Sequence, residues 1–249
     1  MAYRRSTRRY AARRRPTRKR SYPSRRRYTG KRRSTSRKMT TKRVLNVTSR
    51  KKQDTMQNLT NYSAASVSGG TQFYSDNTII SGGTLFASLW CPTARTNHAQ
   101  LQAKDQPEIL GGLFDKATRT ASTCYMRGLK EKIQIQTNTG VAWQWRRICF
   151  TAKGGSYYNG MTDNAKLVAF AGTGWARVTS NWLFSDPSKQ ALFGPLFRGQ
   201  EGVDWRNYFS APLDTHRMNV KYDKTVIIQS GNDSGVMRNY SRSPWTPTA

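Results

Sequence analysis

Residues 130–150 read Lys130-Glu131-Lys132-Ile133-Gln134-Ile135-Gln136-Thr137-Asn138-Thr139-Gly140-Val141-Ala142-Trp143-Gln144-Trp145-Arg146-Arg147-Ile148-Cys149-Phe150. The first eight alternate, with Ile133 and Ile135 on one face and Lys132, Gln134 and Gln136 on the other, the period of a half-buried strand. Asn138-Thr139-Gly140 is a turn signal, and Val141 to Trp145 alternates again. The spacing predicts a β-hairpin. The parity then shifts to Ile148 and Phe150, which implies a bulge or burial on both faces.

Working outward, residues 78–91 carry Ile79, Ile80, Leu85, Phe86, Leu89 and Trp90 around a Gly82-Gly83 break, and read as strand. Residues 166–170, 176–184 and 218–229 are further strand candidates, the last with Met218, Val220 and Tyr222 in step. Helical signals are brief. Ser185-Asp186-Pro187 reads as a cap with a first-turn proline and Gly194-Pro195 as a stop, for about two turns. Asp105-Gln106-Pro107 reads as the start of a short helix reaching Phe114. Many short strands, Gly- and Ser-bearing connections and little helix predict an all-β sandwich or barrel. All seven Trp lie in this part and are expected in its core.

The first 53 residues are a different material: 23 of the chain's 43 Lys and Arg fall there, with no Asp or Glu. The remainder holds 20 Lys and Arg against 13 Asp and Glu. The basic clusters are Arg4-Arg5, Arg8-Arg9, Arg13-Arg14-Arg15, Arg18-Lys19-Arg20, Arg25-Arg26-Arg27, Lys31-Arg32-Arg33, Arg37-Lys38 and Lys42-Arg43. Hardly any aliphatic side chain precedes Met39, so the segment has nothing to bury and its charges repel. It is expected to be a disordered arm over residues 1–50. From about Val44 the text turns β-type.

Guanidinium groups pair bidentately with phosphate, so these clusters are the candidate DNA-binding residues. Tyr3, Tyr10, Tyr22 and Tyr28 stand between them, suited to stacking on unpaired bases. The binding expected is salt-sensitive and indifferent to sequence. A merely solubilising tail would not need such density. A mitochondrial presequence needs a helix with an apolar face, which Pro16, Pro23 and the triple-Arg blocks deny. The same clusters fit a nuclear localisation signal.

Catalytic chemistry is not legible in the rest. His98 and His216 stand far apart, without partners at metal-ligand spacing, so neither a metal nor a cofactor is expected. Gly172-Thr173-Gly174-Trp175 lacks the third glycine of a dinucleotide loop, and Gly154-Gly155 lacks the Lys-Ser/Thr of a phosphate loop. The expectation is a protein that is not an enzyme. Three scattered cysteines (Cys91, Cys124, Cys149) do not make a disulfide framework. With no apolar run long enough to span a bilayer and no signal-peptide pattern, a soluble intracellular product is expected.

Several longer stretches carry a family likeness. They are Arg50-Lys51-Lys52-Gln53-Asp54-Thr55-Met56 after the Tyr-punctuated leader, Gly128-Leu129-Lys130-Glu131-Lys132-Ile133, and Trp143-Gln144-Trp145-Arg146-Arg147. Two more follow: Phe197-Arg198-Gly199-Gln200-Glu201-Gly202-Val203-Asp204-Trp205, and Asp214-Thr215-His216-Arg217-Met218-Asn219-Val220-Lys221-Tyr222-Asp223. Together they resemble the capsid proteins of genomoviruses (the gemycircularvirus group), small circular single-stranded DNA viruses. The likeness extends to about Asn239.

The resemblance implies a single jelly roll, an eight-stranded β-sandwich, spanning residues 51–239 behind the arm, with a tail at 240–249. It implies a homo-oligomer of sixty subunits in an icosahedral shell, a single-stranded DNA genome inside, contact with nuclear import receptors, and no membrane. The locations implied are the virion and the host nucleus. Members continue past a segment like Ser230-Gly231-Asn232-Asp233-Ser234-Gly235, whereas this chain stops soon after it, so a last strand is expected to be missing or replaced. The alternative reading is a cellular nucleic-acid-binding protein, ribosomal or chromatin-like, with a basic tail.

Overall fold

The computed structural model describes residues 39–100, 109–121, 124–172 and 174–245. The chain divides into two units, Met1–Ser49 and Arg50–Ala249. In the first, the described part is a helix, α1 (Thr41–Thr48). The second is β-rich: β1 (Asn58–Thr60), β2 (His98–Gln100), β3 (Ile109–Leu110), β4 (Leu129–Gln136), β5 (Trp143–Ala152), β6 (Val168–Phe170), β7 (Trp175–Thr179), β8 (Met218–Ile228) and β9 (Met237–Trp245), with one longer helix, α2 (Asp186–Leu196).

The alternating stretch forms strands where expected, β4 and β5, yet they do not pair with each other. β4 pairs antiparallel with β9 and β5 antiparallel with β8, so the predicted hairpin is replaced by two nested ribbons. The turn between β4 and β5 lies beside the turn between β8 and β9. Thr137 N donates to Val236 O at 3.0 Å, and Val236 N donates to Thr137 Oγ1 at 3.0 Å. Gly235 makes this approach possible: its φ is +81°, and a Cβ there would lie 2.0 Å from Thr137 O. A two-residue turn fixes a hairpin only when its φ values suit it. Here ladders of seven and ten residue pairs with the C-terminal strands replace any β4–β5 pairing.

β9 bears on two further expectations. Where a last strand is expected to be missing or replaced, Met237–Trp245 forms one, and it crosses the 239/240 boundary set for the tail. The parity shift in β5 lies in an unbroken stretch of the ladder, so of the two expectations it is burial on both faces that holds there; a bulge follows further on, with its extra residue on β8. Cys149 faces Tyr222 while Phe150 faces Val220, so Lys221 on β8 is the extra residue. Both faces of β5 are in use, as its half-buried run from Trp145 to Phe150 shows.

Residues 78–91 are not a strand. Ile79 and Ile80 are adjacent rather than alternating, and Gly82-Gly83 breaks the run. The segment is irregular and pinned by single bonds, Ile79 N to Tyr62 O at 2.8 Å and Trp182 N to Ala87 O at 2.8 Å. Phe86 meets Tyr62 edge-on at 5.3 Å. No helix runs to Phe114 either: Ile109 and Leu110 form β3 against β2, and Gly111-Gly112 follow. β6 and β7 match the candidates at 166–170 and 176–184 in part, joined by parallel β1 into a three-stranded sheet. β8 matches its candidate closely.

α2 begins as its sequence says, with Ser185 Oγ capping Ser188 N and Pro187 in the first turn. It runs eleven residues, past Gly194 and through Pro195, one turn beyond the expected stop. Its apolar side, Leu192, Phe193 and Leu196, joins Leu167, Trp182, Phe197, Trp205 and Met218 in the main core. Ile148, Phe150 and Val220 close that core from the β5–β8 ribbon. Gly160 lets the chain touch α2, because a Cβ there would sit 2.2 Å from Ala191 Cβ. Of the tryptophans expected inside, Trp182 and Trp205 are buried, while Trp90, Trp143, Trp145 and Trp175 stay half-buried.

Tyr157 packs on this core against Phe150, and burial pushes its phenol up from 10.0 to about 12. A raised folded value means the native state holds a proton that the unfolded state releases. The stability this confers is complete below pH 10 and is lost as pH rises towards 12. Tyr157→Phe should therefore flatten the fall in urea midpoint across that window, followed by circular dichroism. An unchanged alkaline slope would contradict the assignment.

Candidate nucleic-acid interface

Of the residues singled out for DNA binding, those from Arg4 to Lys38 lie outside the described residues. Lys42 and Arg43 lie on α1, which corrects both the β-type reading after Val44 and the extension of disorder to residue 50. Thr40 caps the helix, its Oγ1 accepting from Arg43 N at 3.3 Å, and Thr48 Oγ1 donates to Val44 O at 2.9 Å. A helical period puts Lys42, Arg43 and Asn46 on one side and Val44, Leu45 and Val47 on the other. No acidic residue stands in the first turn.

In the body, most well-placed arginines already have internal partners. Arg146 grips Asp223 with two bonds, 3.0 and 2.8 Å, and also donates to the carbonyls of Tyr208 and Ala211. Its guanidinium lies 5.5 Å from the Phe197 ring centroid. Arg147 and Arg177 both pair with Glu131. Arg95 pairs with Asp54, and Lys189 with Glu201 at 3.0 Å. Arg146 and Arg147, the most conspicuous basic pair of the body, therefore hold strands together.

A different cationic group remains where the two ribbons meet. The odd-numbered face of β5 presents Trp145 and Arg147, β8 adds Tyr222, Lys224 and Val226, and β9 adds Tyr240 and Arg242. These residues line a gap of about 10 Å³, room for roughly one water molecule. Trp145 meets Tyr240 edge-on at 5.1 Å. The Arg147 guanidinium lies 6.0 Å from the Trp145 centroid and 5.7 Å from that of Tyr222.

The register sets Arg242 opposite Glu131, but that carboxylate is engaged by Arg147 and Arg177. Among the described residues neither Lys224 nor Arg242 is paired with a carboxylate. Burial first, and the neighbouring Arg242 as well, pull the Arg147 guanidinium below its ordinary value. Burial does the same to Arg177 and pushes the Cys149 thiol up.

Such a surface suits an anion with planar groups attached. Tyr222, Lys224, Tyr240 and Arg242 were not among the sequence candidates. Their signal is spread over two strands, as alternating ring and cation (Tyr222 and Lys224, Tyr240 and Arg242), and only the pairing brings it together. Among the described residues there is no group of three or more His, Cys, Asp or Glu placed to hold a metal ion, and no helix is long and apolar enough to cross a membrane. Compared with protein-family models, curated proteins and solved structures, the chain matches none.

Removing the shared carboxylate would leave two half-buried guanidinium groups facing each other. Glu131→Gln should cost on the order of 3 kcal/mol, the usual penalty for breaking a buried ion pair from one side. Urea denaturation of the variant measures it. A midpoint equal to the parent's would show that the triad carries no load.

Proposed function

We propose that this chain is a viral coat protein whose body self-assembles into an icosahedral shell and whose arm packages single-stranded DNA. The observation that carries the reading is the arm: 23 Lys and Arg in 53 residues without one acidic group. A polycation of that density neutralises phosphate by counterion exchange, whatever the base sequence. Fully extended it would reach up to ~180 Å, enough to cross the interior of a small shell. Its clusters also serve nuclear import through import receptors.

The body's topology supports a jelly roll. That fold is a long doubled hairpin wound on itself, so outer strands pair with outer and inner with inner. β4 with β9 around β5 with β8 is a nest of this kind. Self-association is supported by an apolar surface stretch, Ile109, Leu110, Leu113 and Phe114, between 49% and 85% exposed.

In this mechanism, arms repel one another until DNA neutralises them, so assembly and packaging are coupled. Deleting residues 1–43 should leave a folded body whose particles, viewed by electron microscopy and assayed for nucleic acid, lack DNA. Particles with the parent's DNA content would overturn the packaging role. A parent protein that forms no closed shell with DNA, staying monomeric or dimeric, would favour the cellular nucleic-acid-binding module.

A further inference from the structure

We infer that the cleft between the two ribbons is a second polynucleotide contact, seating a backbone phosphate on Lys224 and Arg242 with its base laid across Trp145, Tyr222 and Tyr240. The inference rests on the packaging role proposed above and adds a place on the body where the packaged strand is held.

Charge is the first argument. Around the gap stand Arg147, Lys224 and Arg242, and the nearby carboxylate, Glu131, is shared by Arg147 and Arg177. Gathering like charges at a strand junction is unfavourable by itself, and an added anion removes the repulsion. Of the body's other half-buried arginines, Arg95 and Arg146 each have a carboxylate, and Arg119 is held by Asn97 Oδ1 and the carbonyl of Thr93.

Shape and ring chemistry decide which anion. The gap takes about one water, so no base ring enters it. Its lining, however, includes three half-buried aromatic rings, and Lys224 and Arg242 beside them are exposed. Rings beside cations, without a pattern of donors and acceptors to read base edges, match single-stranded nucleic acid bound by stacking and charge. A free phosphate would use the cations and leave the rings idle.

Two measurements on the full-length protein test this. First, a single-stranded oligodeoxynucleotide carrying iodouracil is photo-crosslinked and the linked peptides identified by mass spectrometry. Crosslinks are expected at Trp145, Tyr222 or Tyr240 in addition to the arm. Second, the salt dependence of binding is compared for the parent, for Lys224→Gln/Arg242→Gln, and for Lys116→Gln/Lys153→Gln, which removes two exposed cations elsewhere.

The cleft variant should lower the slope of log K against log salt by about 1.4, two phosphates at about 0.7 each. Its circular dichroism should match the parent's, since both side chains are exposed. Crosslinks confined to the arm, or an equal slope change in the control pair, would overturn the cleft while leaving the arm's role standing. A chain that binds no single-stranded DNA at all would overturn both.

Discussion

Glu131 is the point on which the body's strands converge. Its carboxylate on β4 takes Arg147 from β5 and Arg177 from β7, so it ties both nested ribbons to the three-stranded sheet. The Arg177 guanidinium also lies 5.2 Å from the Trp90 ring centroid, which brings the irregular segment before it into the same cluster. A two-stranded ribbon is barely stable in water unless one face is covered. The β5–β8 ribbon is covered by the main core on the side that carries Ile148, Phe150 and Val220. The β4–β9 ribbon has no such backing, and its inward Ile133 and Ile135 are only half-buried. Its hold on the rest of the body depends on this triad and on the Trp145–Tyr240 contact.

The same interaction explains how a chain so rich in positive charge folds. Carboxylates are scarce, and several of those that are paired fasten one part of the body to another. Asp54 fixes Arg95, Asp223 fixes Arg146, and Arg146 in turn gathers the carbonyls of Tyr208 and Ala211 near the core. Once these pairs form, Lys224 and Arg242 are left side by side on the cleft without a carboxylate of their own. The structural use of acidic groups thus defines the electropositive surface by subtraction. A basic residue's place in sequence says little about its role: Arg147 is internal, while Arg242, across the ladder from Glu131, is not.

The elements built by local rules were legible in the sequence. Ser185 and Pro187 announce α2, the Ile133–Ile135 alternation announces β4, and the parity shift at Ile148 announces a strand with both faces in use. Pairing was not legible, because a strand's period says which face is buried and not which strand lies beside it. Asn138-Thr139-Gly140 looks like a hairpin turn, yet what places it is Gly235, nearly a hundred residues away. The segment at 78–91 misled for a related reason: its apolar residues pack, but without alternation and across a Gly-Gly break they pack as irregular chain. α1 was hidden by Val44, Leu45 and Val47, which read as strand until Thr40 is recognised as a cap. The cleft was beyond reach altogether, since its residues alternate on strands whose neighbours are set by the ladder.

β9 carries that last point furthest. By composition its residues look like a polar tail, with Arg238, Asn239, Ser241 and Arg242 around one ring. A tail needs no register, but a ladder to β4 does, and the ladder turns composition into position. It sets Tyr240 beside Ile133 and against Trp145, and sets Arg242 across from a carboxylate already taken. The strand that encloses the nest therefore also furnishes one wall of the cleft. On the packaging reading, the chain's two ends complement each other: one brings dense charge that gathers the polynucleotide, and the other brings charge on a strand and a ring that can hold a part of it in place. Charge pairing with phosphate alone gives affinity without position, because every phosphate is equivalent to it. Fixed cations beside stacked rings add position, and they require a folded strand at the site where the β4 ladder has put one.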